Sequence, residues 1–161
     1  VFDKYGVYDE RLIRNQDIEL NKRIVRGGGH IYIVPDTYCV YLARETFKGV
    51  AKNNFGNGKW NILTVYYTKQ MKSLSIRHFV PLLFLLSLIV PLVMMLFYFP
   101  AVIISLTSLL LYLISISVIS LSLSLKKKLC FSYLMMTFVV LHLSYGWGSL
   151  NGIISVLKYG K

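Results

Sequence analysis

The chain has 161 residues and a net charge of +11, and neither its charge nor its hydropathy is spread evenly. All seven acids (Asp3, Asp9, Glu10, Asp17, Glu19, Asp36, Glu45) fall in the first 45 positions, whereas Phe79–Leu125 is a run of 47 residues without a charge. Such a run far exceeds a buried core helix and argues against a wholly water-soluble domain, and two distant cysteines, Cys39 and Cys130, argue against a disulfide framework or a metal knuckle.

The opening Val1-Phe2-Asp3-Lys4-Tyr5-Gly6 reads like the middle of a domain, so a further N-terminal part is expected before it. Residues 1–14 read as loop with a short helical piece, punctuated by Gly6. Asn15 is a candidate N-cap, because its side-chain oxygen can accept from an orphan N–H of a first helical turn. The helix should run from about Gln16 to Arg26. Leu20, Ile24 and Val25 give it an apolar face, and Glu19 and Arg23 form an acid-first pair four residues apart. Gly27-Gly28-Gly29 should stop it, since glycine tolerates the left-handed conformation of a C-terminal cap.

Ile31–Val34 and Tyr38–Tyr41 are β-prone runs joined by the turn-like Pro35-Asp36-Thr37. They predict a pair of short strands at the edge of an α/β domain. Residues 46–78 carry Lys48, Lys52, Lys59, Lys69, Lys72 and Arg77 and no acid. Phe47, Val50, Ala51 and Phe55 recur at helical spacing. Gly56-Asn57-Gly58 is expected to break that helix, and Trp60, Leu63, Tyr67, Met71 and Leu74 make a second stripe. Two basic amphipathic helices before an apolar run fit a membrane interface, a depth that the rings of Trp60, Tyr66 and Tyr67 favour; the alternative is that both stripes pack on the soluble part. The same charge would suit nucleic acid; adjacency to the apolar run makes anionic membrane lipid the expected partner and no nucleic acid.

Three apolar segments follow, at about 78–99, 101–125 and 129–146. Pro81 and Pro91 should bend the first, and the second is rich in serine that can pack closely or bond its own backbone. Lys126-Lys127-Lys128 places the end of the second segment, and with it the basic block before the first, on the cytoplasmic side. The third either crosses or dips and returns. His142, inside it, is a functional candidate by default, or simply a partner for Ser144 or Tyr145.

Several of these stretches carry a resemblance. Tyr8-Asp9-Glu10 followed by Arg14-Asn15-Gln16-Asp17-Ile18-Glu19-Leu20-Asn21-Lys22-Arg23 resembles the acceptor-side motif of family 2 glycosyltransferases, in the membrane-anchored subgroup of succinoglycan and exopolysaccharide biosynthesis. Gly28-Gly29-His30-Ile31-Tyr32 with Pro35, then Tyr41-Leu42-Ala43-Arg44, and Asn53-Asn54-Phe55-Gly56-Asn57-Gly58-Lys59-Trp60 are similar to the segments that follow it there. Arg77–Pro81 and His142–Gly148 fit the subgroup's membrane part. Asn53, Ala43 and Lys59 depart from the commoner Gln, Pro and Arg, and lysine lacks the planar fork that grips phosphate oxygens in pairs.

The resemblance implies an α/β fragment, the C-terminal part of a GT-A-like domain, at 1–45. It implies basic amphipathic interface helices at 46–77 and an α-helical membrane region with two to three transmembrane helices at 78–161. It implies an inverting glycosyltransferase acting between a nucleotide-sugar donor and a saccharide or lipid-linked acceptor at the cytoplasmic membrane face. Asp17 would be the catalytic base, against the plainer reading of an acid in the first turn of a helix. Gln16, Arg14, Arg44, Lys59 and Trp60 are the candidate substrate-binding residues. Gln16 could also be a surface amide, and Trp60 could be an interface anchor. The family's divalent cation, Mg or Mn, would be held by residues outside this chain, which has no Asp-x-Asp. The alternative is a non-catalytic membrane protein acting as an anchor or interaction module.

Overall fold

The computed structural model describes residues 1–70 and 76–159. Helices run over Phe2–Tyr5 (α1), Gln16–Arg26 (α2), Phe47–Thr68 (α3), Val80–Met94 (α4), Val102–Lys127 (α5) and Phe131–Tyr159 (α6). The expected α/β fragment is not found. The structure is 73% helical with no strand among the described residues, an all-α fold and not a GT-A-like one. Ile31–Val34 and Tyr38–Tyr41 carry no regular structure and stand in solvent, with Ile33 92% and Tyr38 91% exposed. β-branched and aromatic residues favour a strand only where a neighbour completes the ladder and something covers one face. Neither condition is met at 31–42.

α2 keeps the limits its sequence dictates, and Gly28, at φ 79°, supplies the left-handed residue after it. Its start differs from expectation. Asn15 is itself left-handed (φ 65°) and makes no side-chain cap bond. Asparagine tolerates that conformation, and its amide is turned onto α3 instead. Glu19 is buried and meets Arg23 through two bonds, Nη2 to Oε2 at 2.6 Å and Nε to Oε1 at 3.1 Å. Arg23 also donates to the carbonyl oxygens of Tyr5 (2.7 Å) and Val7 (2.9 Å), so one guanidinium ties the first loop to α2. Glu19→Ala would leave that cation without its counter-ion. Because Arg23 is partly exposed, the expected cost is about 2 kcal/mol, below the full figure for a buried pair. Thermal unfolding in detergent measures it.

α3 begins at Thr46, whose hydroxyl accepts from the Gly49 N–H at 3.1 Å. It then runs without interruption through Gly56-Asn57-Gly58, where a break was expected. These glycines let another backbone in. α3 lies parallel to α6, from Phe47 stacked on Tyr133 at one end to the Lys59–Ile62 turn against Gly152 further along. A Cβ on Gly58 would overlap the Tyr145 carbonyl oxygen, and one on Gly148 would overlap that of Phe55. A Cβ on Gly152 would come within 2.8 Å of the Lys59 oxygen. Gly148 and Gly152 are four apart, the small-xxx-small spacing that lets helices close up. Trp60, Leu63 and Tyr67 of the second expected stripe are on α3; Met71 and Leu74 lie outside the described residues.

α4, α5 and α6 form an up–down–up group. The Ser105 hydroxyl on α5 donates to the Leu88 carbonyl on α4 at 2.7 Å, and Phe84 stacks on Tyr112 at 4.1 Å. His142 on α6 bonds neither Ser144 nor Tyr145. Its Nδ1 lies 3.1 Å from the Tyr112 hydroxyl of α5. The segment Phe99–Lys127, which is α5 and the turn before it, has 29 residues, contains an 18-residue stretch of mean hydropathy 2.5, and is long and apolar enough to cross a membrane. α4 is apolar but has only 15 residues, about 22 Å of helix, because Pro91 lies inside it and the chain turns after Met94. α6 continues past Gly146 as one helix of 29 residues.

Candidate functional site

Arg14 and Asn15 carry the α2 start onto one face of α3. Asn53, Asn57 and Asn61 recur every four residues there, followed by Thr64, so they share a face. Arg14 Nη1 donates to Asn57 Oδ1 (2.9 Å), Asn53 Oδ1 (3.1 Å) and the Asn53 carbonyl (3.3 Å). Gly56 makes the space for it: a Cβ there would sit 2.8 Å from the guanidinium carbon. Asn15 Nδ2 donates to Asn61 Oδ1 at 2.8 Å, and Asn61 Nδ2 in turn donates to the Tyr145 hydroxyl on α6. Leu12, fully buried, and Leu20 seal the apolar side of this junction.

The junction borders a cleft of about 440 Å³ lined by Tyr8, Ile13, Arg14, Asn15, Gln16, Asp17 and Asn57. Asp17, in the first turn of α2, is exposed, with no bonding partner among the described residues. Gln16 donates its amide to the Leu12 carbonyl, which leaves its oxygen for a ligand. The structure therefore brings Arg14, Gln16 and Asp17 together. Arg14 spends its charge on α3, where the sequence expectation had it meeting substrate.

The other candidates are elsewhere. Lys59 and Trp60 line a separate cleft of about 220 Å³ with Tyr66, Tyr67 and Ser155, between α3 and α6. Arg44 is exposed in the 31–45 segment and donates to the Tyr41 hydroxyl at 2.7 Å. A third, polar cleft of about 580 Å³ holds Asp9, Arg11, Arg23 and Arg26. There the hydrogen-bonded Arg11 guanidinium, 2.7 Å away, holds the Asp9 carboxyl below the usual carboxylate range.

Sequence reasoning missed Asn57, Asn61 and Tyr145. The four-residue spacing of the three asparagines was the available signal, and it was obscured by reading the glycines between them as a break. Arg14→Lys should test the docking. A lysine keeps the charge, but its shorter, freely rotating ammonium is not held in the guanidinium plane that presents Nη1 to all three acceptors. The expected loss is about 1–2 kcal/mol, seen as a lower urea midpoint by tryptophan fluorescence.

Among the described residues no three His, Cys, Asp or Glu side chains converge on a point that would hold a metal ion. The divalent cation that the resemblance implies would be held by residues outside this chain, and no step below passes through one. No family model, curated protein or solved structure matches the chain.

Proposed function

We propose that the chain is the acceptor-side, membrane-bound portion of an inverting glycosyltransferase. Together with a nucleotide-binding half outside this chain, it moves a sugar from a nucleotide-sugar donor to a polysaccharide or lipid-linked acceptor at the cytoplasmic membrane face. The observation that carries this reading is the meeting of two motifs that lie far apart in the chain. Arg14, in the Arg14–Asp17 run, is bonded to Asn53 and Asn57 of the Asn53–Trp60 segment, and Asp17 opens on the cleft beside them.

Asp17 takes the proton from an acceptor hydroxyl. The freed oxygen electron pair forms the new bond to the anomeric carbon while the bond from that carbon to the diphosphate breaks on the opposite face. The products are the glycosylated acceptor, the nucleoside diphosphate and a protonated Asp17. Gln16, through its free oxygen, orients a hydroxyl in the cleft. α4, α5 and α6 make a multi-pass anchor in the inner membrane, with Lys126–Lys128 on the cytoplasmic side. The unpaired basic side chains Lys48 and Lys52 on α3 meet anionic lipid.

A second reading, a non-catalytic anchor or interaction module, is favoured by the use of Arg14 Nη1 within the fold and by the exposed hydrophobic side chains at 31–42. Membranes containing the full-length gene product, assayed against a panel of sugar nucleotides, separate the two. Transfer that depends on Asp17 supports the enzyme; absence of transfer from every donor leaves the module.

A further inference from the structure

A chain of side-chain bonds runs from the membrane helix to the Asp17 turn. Tyr145 on α6 accepts from Asn61 on α3, and Asn61 accepts from Asn15, two positions before Asp17. Asn61 is buried at 8% exposure, so water cannot readily replace either bond. The link has a steric cause as well as a polar one. Gly58, one turn before Asn61, has the Tyr145 carbonyl oxygen where its Cβ would be, and this closeness lets a short asparagine span the two helices. Asn15 in turn has left the cap role that its position offers in order to make its bond.

We infer that Tyr145 is a positioning residue: through Asn61 and Asn15 its hydroxyl fixes where the Asp17 turn stands relative to the membrane helices. The Asp17 side chain makes no hydrogen bond among the described residues. The turn that carries it is tied to α3 by Asn15, next to the Arg14 bonds. Under the glycosyltransferase reading, on which this inference rests, a base must be held at hydrogen-bond distance from the attacking hydroxyl, about 2.6–3.2 Å, to within about 0.5 Å. α6 then sets catalytic geometry as well as anchoring the chain.

The test uses the full-length gene product in lipid nanodiscs, with amide hydrogen exchange and steady-state transfer as separate readouts. Tyr145→Phe removes one oxygen and keeps the ring. It should speed exchange over residues 12–20 by on the order of tenfold, leaving 102–127 unchanged. Asn15→Gly, which permits the positive φ and does not touch the α3–α6 contact, should do the same and carries the test if Tyr145→Phe fails to fold. The double variant should be no faster than the faster single one, as for two breaks in one chain. In the transfer assay both variants should lower kcat with the acceptor KM unchanged. Wild-type exchange at 12–20 in either variant, or additive acceleration in the double one, overturns the coupling. If the wild-type protein transfers no sugar, the glycosyltransferase reading fails, and the exchange results still decide the coupling.

Discussion

Gly148→Ala is expected to destabilise the protein by about 3 kcal/mol, lowering the thermal midpoint by about 10 °C. A methyl group at that position falls on the Phe55 carbonyl oxygen. That atom belongs to the α3 backbone and cannot turn aside as a side chain would. The helices must separate along their contact, and the neighbouring approaches at Gly58 and Gly152 loosen with it. Gly28→Ala is the control. It meets nothing within 4 Å and should cost only the strain of its positive φ, about 1 kcal/mol. Trp60 on α3 and Trp147 on α6 report the separation by fluorescence. Equal losses for the two substitutions would show that α3 and α6 do not pack this closely.

Asp17→Asn is expected to lower turnover by about 10²–10⁴-fold, the usual contribution of a positioned general base. The amide is nearly isosteric but cannot accept the acceptor's proton. Folding should be untouched, to within about 0.5 kcal/mol, because Asp17 is exposed and partnered by nothing among the described residues. A lost activity with an unchanged melting curve is therefore the diagnostic pair. Turnover like that of the wild type would remove Asp17 from the chemistry. Asp17→Glu, with the carboxylate displaced by one methylene, should fall between them.

How far the fold could be read from the sequence depended on whether the cause lay close by in the chain. α2 was legible because its stop signal and its Glu19–Arg23 pair lie within a dozen residues, and both are where they were expected. The long apolar run was legible as α5 for the same reason, since mean hydropathy is a local property. The 31–41 runs misled because strand propensity describes fitness for a sheet and says nothing of whether a sheet is there. Glycine misled at 56–58 because a cap and a close contact look alike in sequence, and only the partner helix distinguishes them. The same holds for the site. Asp17, Gln16 and Arg14 were marked by their neighbours in sequence. The asparagines that hold Arg14 and Asn15 are 39 to 46 positions away; their four-residue spacing marks a shared helix face, but nothing local says that Arg14 and Asn15 meet it.

The parallel pairing of α3 with α6 also has a consequence for synthesis. Asn61 and Tyr145 are 84 residues apart in the chain. At ordinary elongation rates, α3 leaves the ribosome about ten seconds before the helix that receives it. During that interval Arg14 and Asn15 can already meet the asparagines of α3, but its glycine face has no protein partner. The Asn61–Tyr145 link is then among the last parts of the molecule to form, and a stalled or truncated translation product would lack it.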